Sequence, residues 1–179
     1  MKLAQNLYFL PSGTVQEFNV VIEIPERSQN KYELDSETGA LFLDRVLYGA
    51  AYYPANYGFI PSTKAADGDA LDVMVFINNP VPPGCVVKCR AIGMIKITDS
   101  GEEDNKILAV CIDDPYFAHY QDISDVPAHK IKEITDFNEN MQKLKKSVWI
   151  KNINVVNGVS SKEIADIEIA KHLNNYKGE

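Results

Sequence analysis

The sequence predicts an α+β protein: a small β-barrel laid down first, with helices added last. Two observations carry that expectation, namely period-two apolar runs through the first two thirds of the chain and a switch to a three-and-four period near Ile131. A third, the number of short strands in so small a chain, favours a barrel over an open sheet.

Taken in order, FNVVIEI alternates Phe18, Val20, Ile22 and Ile24 with Asn19, Val21 and Glu23, so one face turns inward and Glu23 points away from the apolar row. KYEL places Lys31 and Glu33 on one face of a hairpin arm and Tyr32 and Leu34 on the other, before a Ser-Glu-Thr-Gly turn after Asp35. Further strands are expected in ALFLDRVLY around Arg45, in LDVMVFI, in CVVKCRAIGMIKIT and in KILAVCI, with Pro80, Pro82, Pro83 and Gly84 marking a loop. YYPANYGFIP, with Tyr53, Asn56 and Tyr57, reads as a packed turn, and TDSGEEDNK as a hydrophilic hairpin loop.

Beyond these, Ile131, Ile134, Phe137, Met141 and Leu144 form a stripe, with Pro127 near the start and Lys143, Lys145 and Lys146 in the last turn. They predict a helix over 131–146. A second helix is expected after Ser160, where Ser160-x-x-Glu163 fits a capping box and Ile164, Ile167, Ala170 and Leu173 make its stripe. With no repeat, low-complexity tract or long linker, residues 1–179 read as a single domain.

Of the 179 residues, 45% are hydrophobic and 24% charged, which is ordinary soluble composition. A net charge of -7 and a pI near 5.0 argue against nucleic acid as the main partner, because that affinity comes largely from neutralised phosphates. No apolar run approaches the ~20 residues of a membrane span, and MKLAQNLYFL is short, interrupted by Gln5 and Asn6, and lacks a small-residue cleavage pattern; a cytoplasmic location is expected. Cys85, Cys89 and Cys111 read as reduced, half-buried thiols, and His119, His129 and His172 as surface residues without zinc spacing.

The densest chemistry lies in DGDALDVMVF, where Asp67, Asp69 and Asp72 fall within six residues and lead into an apolar run. Two carboxylates ~4 Å apart repel by ~4 kcal/mol at an effective dielectric of ~20, so three that converge call for protons or cations. Oxygen ligands favour Mg2+, Mn2+ or Ca2+. An arbitrary D-x-D turn more often caps its own amides. The EF-hand pattern fails, since counting from Asp67 puts Asp72 and Asn78 where Gly and Glu are needed.

In order and spacing, VVIEIP, KYELD, TGALFLDR, YYPANYGFIP, DGDALDV and TDSGEEDNK together give the chain its character, and with them it resembles the family I soluble inorganic pyrophosphatases. The resemblance implies a closed five-stranded OB-like β-barrel with flanking C-terminal helices and a homohexamer of the bacterial type. It further implies Mg2+-dependent hydrolysis of pyrophosphate, with Mn2+ or another divalent ion as an alternative. Position by position, it implies Asp67, Asp72, Asp99 and Asp104 as metal ligands, Glu23 acting through water, and Asp69 as general base. Lys31, Arg45, Tyr57 and Lys106 would be the phosphate-side donors, supported by Tyr53 and Glu33.

Four positions depart from the family pattern. Ala70 stands where Pro or Glu is usual, and Ser100 where many relatives carry Glu. Met141-Gln142 stands where a Tyr-Lys pair contacts a substrate phosphate, so a hydroxyl and a cation are lost, each worth about 1–3 kcal/mol in a charge-assisted contact. Two rival readings follow: a non-enzymatic oligonucleotide-binding barrel, opposed by the acidic balance, and a degenerate relative that binds pyrophosphate or metal without turnover.

Overall fold

The computed structural model describes residues 6–65, 68–141, 144–145, 148–149 and 154–177. In chain order the first strands are β1 (Phe18–Ile24), β2 (Asn30–Leu34), β3 (Leu41–Val46), β4 (Asn56–Ile60) and β5 (Leu71–Phe76). The long β6 (Val86–Asp99) turns through the short β7 (Glu102–Glu103) into β8 (Lys106–Cys111). Helix α1 (Ala128–Asn140), the two-residue strands β9 (Leu144–Lys145) and β10 (Val148–Trp149), β11 (Asn154–Ser160) and helix α2 (Lys162–Lys177) complete the order.

Five strands close on themselves: β1 pairs with β4, β4 with β5, β5 with β8, β8 with β6, and β6 with β1. Only the β5–β8 pair of this ring is parallel, and the ring is the closed five-stranded OB-like barrel expected from the sequence. Closure leaves none of these strands as a free edge, and β6 is long enough to carry β11 as well. At Gly58 the β1–β4 seam is so tight that a Cβ would stand 1.9 Å from the Val21 carbonyl oxygen.

β5 shows why the strand runs look continuously apolar. Leu71, Val73 and Val75 join a cluster sealed by Ala165, Ile169 and Leu173 of α2, whereas Met74 and Phe76 join one sealed by Ile134 and Phe137 of α1. Each such side chain stabilises by roughly 1.5–3 kcal/mol when buried, so a register slip would be costly on both faces. The hairpin β2–β3 stands apart as a separate two-stranded sheet, and the side chains of Leu41, Phe42, Leu43 and Val46 are exposed.

Several expectations need correction. The supposed packed turn at YYPANYGFIP contains β4, a wall of the barrel, because Asn56, Gly58, Phe59 and Ile60 are buried between β1 and β5. Helix α1 ends at Asn140, not 146: Asn138 donates back to the Ile134 carbonyl, the Asn154 side chain takes the Asn138 carbonyl, and Leu144–Lys145 pairs with Val148–Trp149 instead. Gln142, Lys143 and Lys146 lie outside the described residues.

Helix α2 begins at Lys162, one residue later than a cap at Ser160 would start it. Ser160 closes β11, and the Lys162 amide is capped from outside the helix by Asp122, at 2.9 Å. Its buried stripe is Ala165, Ile169, His172 and Leu173, which leaves Ile164 and Ile167 exposed, so the helix is turned about one residue from the face its isoleucines suggested. His172 is therefore buried, not on the surface, and its Nδ1–H donates to the Glu168 carbonyl at 2.9 Å. The cysteines are free, with Cys89 buried and Cys85 and Cys111 half-buried. No helix among the described residues is long and apolar enough to cross a membrane.

Candidate active site

The ring and the detached hairpin face each other across a cleft of about 580 Å³. Eleven of the twelve site residues expected from the sequence line it: Glu23, Lys31, Glu33, Arg45, Tyr53, Tyr57, Asp69, Asp72, Asp99, Asp104 and Lys106. Asp67, the twelfth, lies outside the described residues.

The barrel supplies the acidic wall. Val73 pairs with Ile107 across the parallel β5–β8 ladder, which sets Asp72 beside Lys106 at the mouths of these two strands. The Lys106 ammonium, on a side chain only 5% exposed, lies 2.6 Å from Asp72 Oδ2 and 2.5 Å from Asp104 Oδ1. Burial would depress its pKa, but the two carboxylates hold it above the ordinary lysine value. The Tyr57 hydroxyl donates to the same Asp72 oxygen at 2.6 Å, and burial followed by the Asp72 charge pushes the Tyr57 phenol well up.

Asp104 is placed by the tight β6–β7 reversal, where Ser100 (φ 53°) and Gly101 (φ 96°) turn the chain and the Asp104 amide donates to the Ile97 carbonyl. Ser100, one of the departures, donates its hydroxyl to Asp99 Oδ1 at 2.9 Å. The carboxyl of Asp104 is held above the usual carboxylate range, first by burial and then by Asp72 and Asp99, against the pull of Lys106. Glu23, at the floor, is 9% exposed and accepts the Leu34 amide at 2.7 Å; burial raises its pKa to about 8, with Asp72 adding to the shift. Tyr53 is packed between Tyr57 and Phe137, at ring distances of 5.5 and 4.7 Å, and burial raises its phenol too.

The aspartate loop turns at Gly68, whose φ of +94° suits glycine, and places Asp69 before β5. Opposite, the hairpin supplies cations. Lys31 and Arg45 are direct cross-strand partners, an arrangement of like charges that is unfavourable alone. Asp44 relieves it, lying 2.8 Å from Arg45 Nε and 3.7 Å from Lys31 Nζ, and Lys31 also pairs with Glu33.

Sequence reasoning missed part of the lining: Tyr8, Tyr32, Glu168, Lys171 and His172. Tyr8 sits outside every motif and gave no signal. Glu168 and His172, four apart on one helix, could have been found as a facing pair had α2 been placed in the right rotation. Met141, at the end of α1, is half-buried and also lines the cleft, so the wall there is a thioether.

Comparison with known proteins agrees with this arrangement. The family model described as inorganic pyrophosphatase matches residues 20–177. Soluble inorganic pyrophosphatase 1 of Arabidopsis thaliana is 50% identical over 131 residues, which is 73% of this chain but 62% of that protein, so the chain spans less than two thirds of the plant relative's length. Among solved structures, the inorganic pyrophosphatase from Thermus thermophilus has a TM-score of 0.90 at 41% identity, covering 97% of this chain and 99% of that one. The one from Helicobacter pylori has a TM-score of 0.88 at 39% identity, covering 94% and 98%. The barrel, the acid wall and the facing cations accord with these matches, and the chain belongs to the inorganic pyrophosphatase family, family I.

Proposed function

We propose that this chain hydrolyses inorganic pyrophosphate to two orthophosphates with Mg2+ as its cofactor. One observation carries the reading: a single cleft has a carboxylate-rich wall suited to divalent cations and, facing it, the paired cations Lys31 and Arg45 suited to a polyanion. A pyrophosphate-sized ligand needs both at once, since its own charge repels the carboxylates.

Carboxylate oxygens are the donors that hard divalent ions prefer, and among the described residues they converge in pairs, not in threes. Asp72 and Asp104 already converge on one cation, the Lys106 ammonium, and Asp99 adds further negative charge beside them. Asp67, Asp72, Asp99 and Asp104 would hold Mg2+, or Mn2+ in its place, with Glu23 reaching it through water. When bound, the ions neutralise phosphoryl oxygens and lower the pKa of the attacking water.

Asp69 takes the proton from that water as general base. Arg45 offers two parallel N–H donors to phosphate oxygens, and Lys31 and Lys106 place point charges against the electrophilic and leaving phosphates. Tyr57 donates from its hydroxyl, while Glu33 orients Lys31 and Tyr53 braces Tyr57 from behind. A single pyrophosphatase domain acting in the cytoplasm, with pyrophosphate as partner and neither nucleic acid nor membrane, completes the reading. A homohexamer accords with the half-exposed Phe42, Leu43, Tyr48 and Tyr52, apolar surface of the kind assembly covers.

The test is orthophosphate release from pyrophosphate with Mg2+, on the native chain and on Asp69→Asn, with and without a chelator. Turnover that disappears with the chelator and drops by orders of magnitude in the variant is expected. A native chain that binds pyrophosphate without turnover would move the assignment to a degenerate binding protein, with Met141 and Gln142 as the first positions to examine.

A further inference from the structure

The peptide unit between Asp69 and Ala70 is held at both of its polar atoms. Its carbonyl accepts the Ala65 amide at 2.7 Å, a bond within the loop, and its N–H donates to the Tyr8 hydroxyl at 3.1 Å, a bond from a segment 62 residues away. Fixing this peptide plane fixes the backbone at Asp69, and with it the direction in which the Asp69 side chain leaves the chain.

The Tyr8 segment is anchored in its own right. Asn6 Nδ2 donates to the Ser36 carbonyl in the β2–β3 turn at 2.8 Å, the Ser62 amide donates to the Tyr8 carbonyl at 3.1 Å, and the Ser62 hydroxyl donates to the Leu10 carbonyl at 2.9 Å. Leu7, Tyr8 and Leu10 pack on a small cluster of Val21, Leu34, Phe59 and Ala70. The Tyr8 ring lies 5.1 Å from that of Phe59, which is the β4 partner of Asp72. One short segment therefore ties the cationic hairpin, through Ser36 and Leu34, to the loop that carries Asp69, and Tyr8 reaches the cleft itself.

From this geometry we propose that Tyr8 is a positioning residue for Asp69: its hydroxyl fixes the Asp69–Ala70 peptide and so aims the carboxylate into the cleft. The inference rests on the pyrophosphate-hydrolysis reading above. Its prediction is specific, because misplacing a reacting group by about 1 Å lowers the rate by up to ~100-fold while leaving ligand contacts in place.

The experiment compares the native chain, Tyr8→Phe and Leu7→Ala in steady-state pyrophosphate hydrolysis with Mg2+, in thermal unfolding, and in hydrogen exchange of the Ala70 amide. Tyr8→Phe keeps the ring packing and removes only the hydroxyl that accepts the Ala70 amide. It is expected to lower kcat about tenfold with KM within about twofold, to melt near the native temperature, and to exchange faster at Ala70. Leu7→Ala, which removes packing from the same cluster, is expected to melt earlier with kcat of the folded protein unchanged. Tyr8→Phe with native kcat, or an equal loss of kcat in Leu7→Ala, overturns the inference. A native chain without turnover overturns the hydrolysis reading instead, and the Ala70 exchange rate then decides by itself whether Tyr8 holds the loop.

Discussion

The two sides of the cleft are built on opposite physical terms. The acid wall grows out of a closed barrel whose strands are buried on both faces, as in β5, where Val73, Met74 and Val75 are fully buried. The cationic arm is a free two-stranded hairpin whose β3 side chains are mostly exposed. On the wall one ammonium, that of Lys106, is desolvated and locked between two half-buried carboxylates, whereas on the arm Lys31 and Arg45 are half-buried and held by acids of the same hairpin. The wall is thus suited to holding fixed ions, and the arm to adjusting around a substrate.

The same residue type tests the contrast most severely. Lys106→Ala removes an ammonium only 5% exposed and leaves Asp72 and Asp104, 29% and 27% exposed, facing each other; it is expected to cost about 3 kcal/mol in the metal-free chain, the low end for a buried pair because water reaches both carboxylates. Lys31→Ala removes a cation whose partners Glu33 and Asp44 are 52% and 32% exposed and is expected to cost under ~1 kcal/mol. Urea unfolding of the two variants checks this, and comparable losses would erase the distinction between wall and arm.

A pH series sharpens it from another direction. Burial raises the Glu23 carboxyl in the fold to about 8 from an ordinary 4.5, so the folded state favours the protonated form. The stability this contributes is full below about pH 4.5 and is lost as pH climbs through about 8. At ~1.4 kcal/mol per pH unit for one proton, the metal-free native chain should lose on the order of a few kcal/mol over that window relative to Glu23→Gln, which has no proton to release. Parallel pH curves for the two proteins would show that Glu23 is already ionised in the folded chain.

What the sequence disclosed follows the same division. Strands with a strict two-residue period and motifs of fixed spacing, such as KYEL and DGDALDV, were legible because local pattern and final environment agree. The β4 strand was not, because Asn56 and Gly58, close behind Pro54, read as a turn, and only the neighbouring strands give these two a sheet environment. The rotation of α2 was also hidden: Ile164 and Ile167 look like core residues, yet the barrel surface selects Ala165, Ile169 and Leu173. Eleven lining residues were visible as motif members, whereas Tyr8 was invisible because its contacts depend on a chain crossing of 62 residues.

The smallest effect is expected on the arm, and it bears on why this side carries an arginine. Arg45 stands opposite Lys31 with its Nε on Asp44, and its side chain lines the cleft. Arg45→Lys keeps the charge but loses the planar fork, and its single ammonium cannot hold both Asp44 and a phosphate in the same geometry. The expected outcome is a KM for pyrophosphate raised several-fold to about tenfold, on the order of 1 kcal/mol, with unfolding unchanged. A fall in kcat at constant KM would instead place Arg45 among the groups that engage only as the phosphoanhydride bond breaks, and the arm would then share the rigidity assigned to the wall.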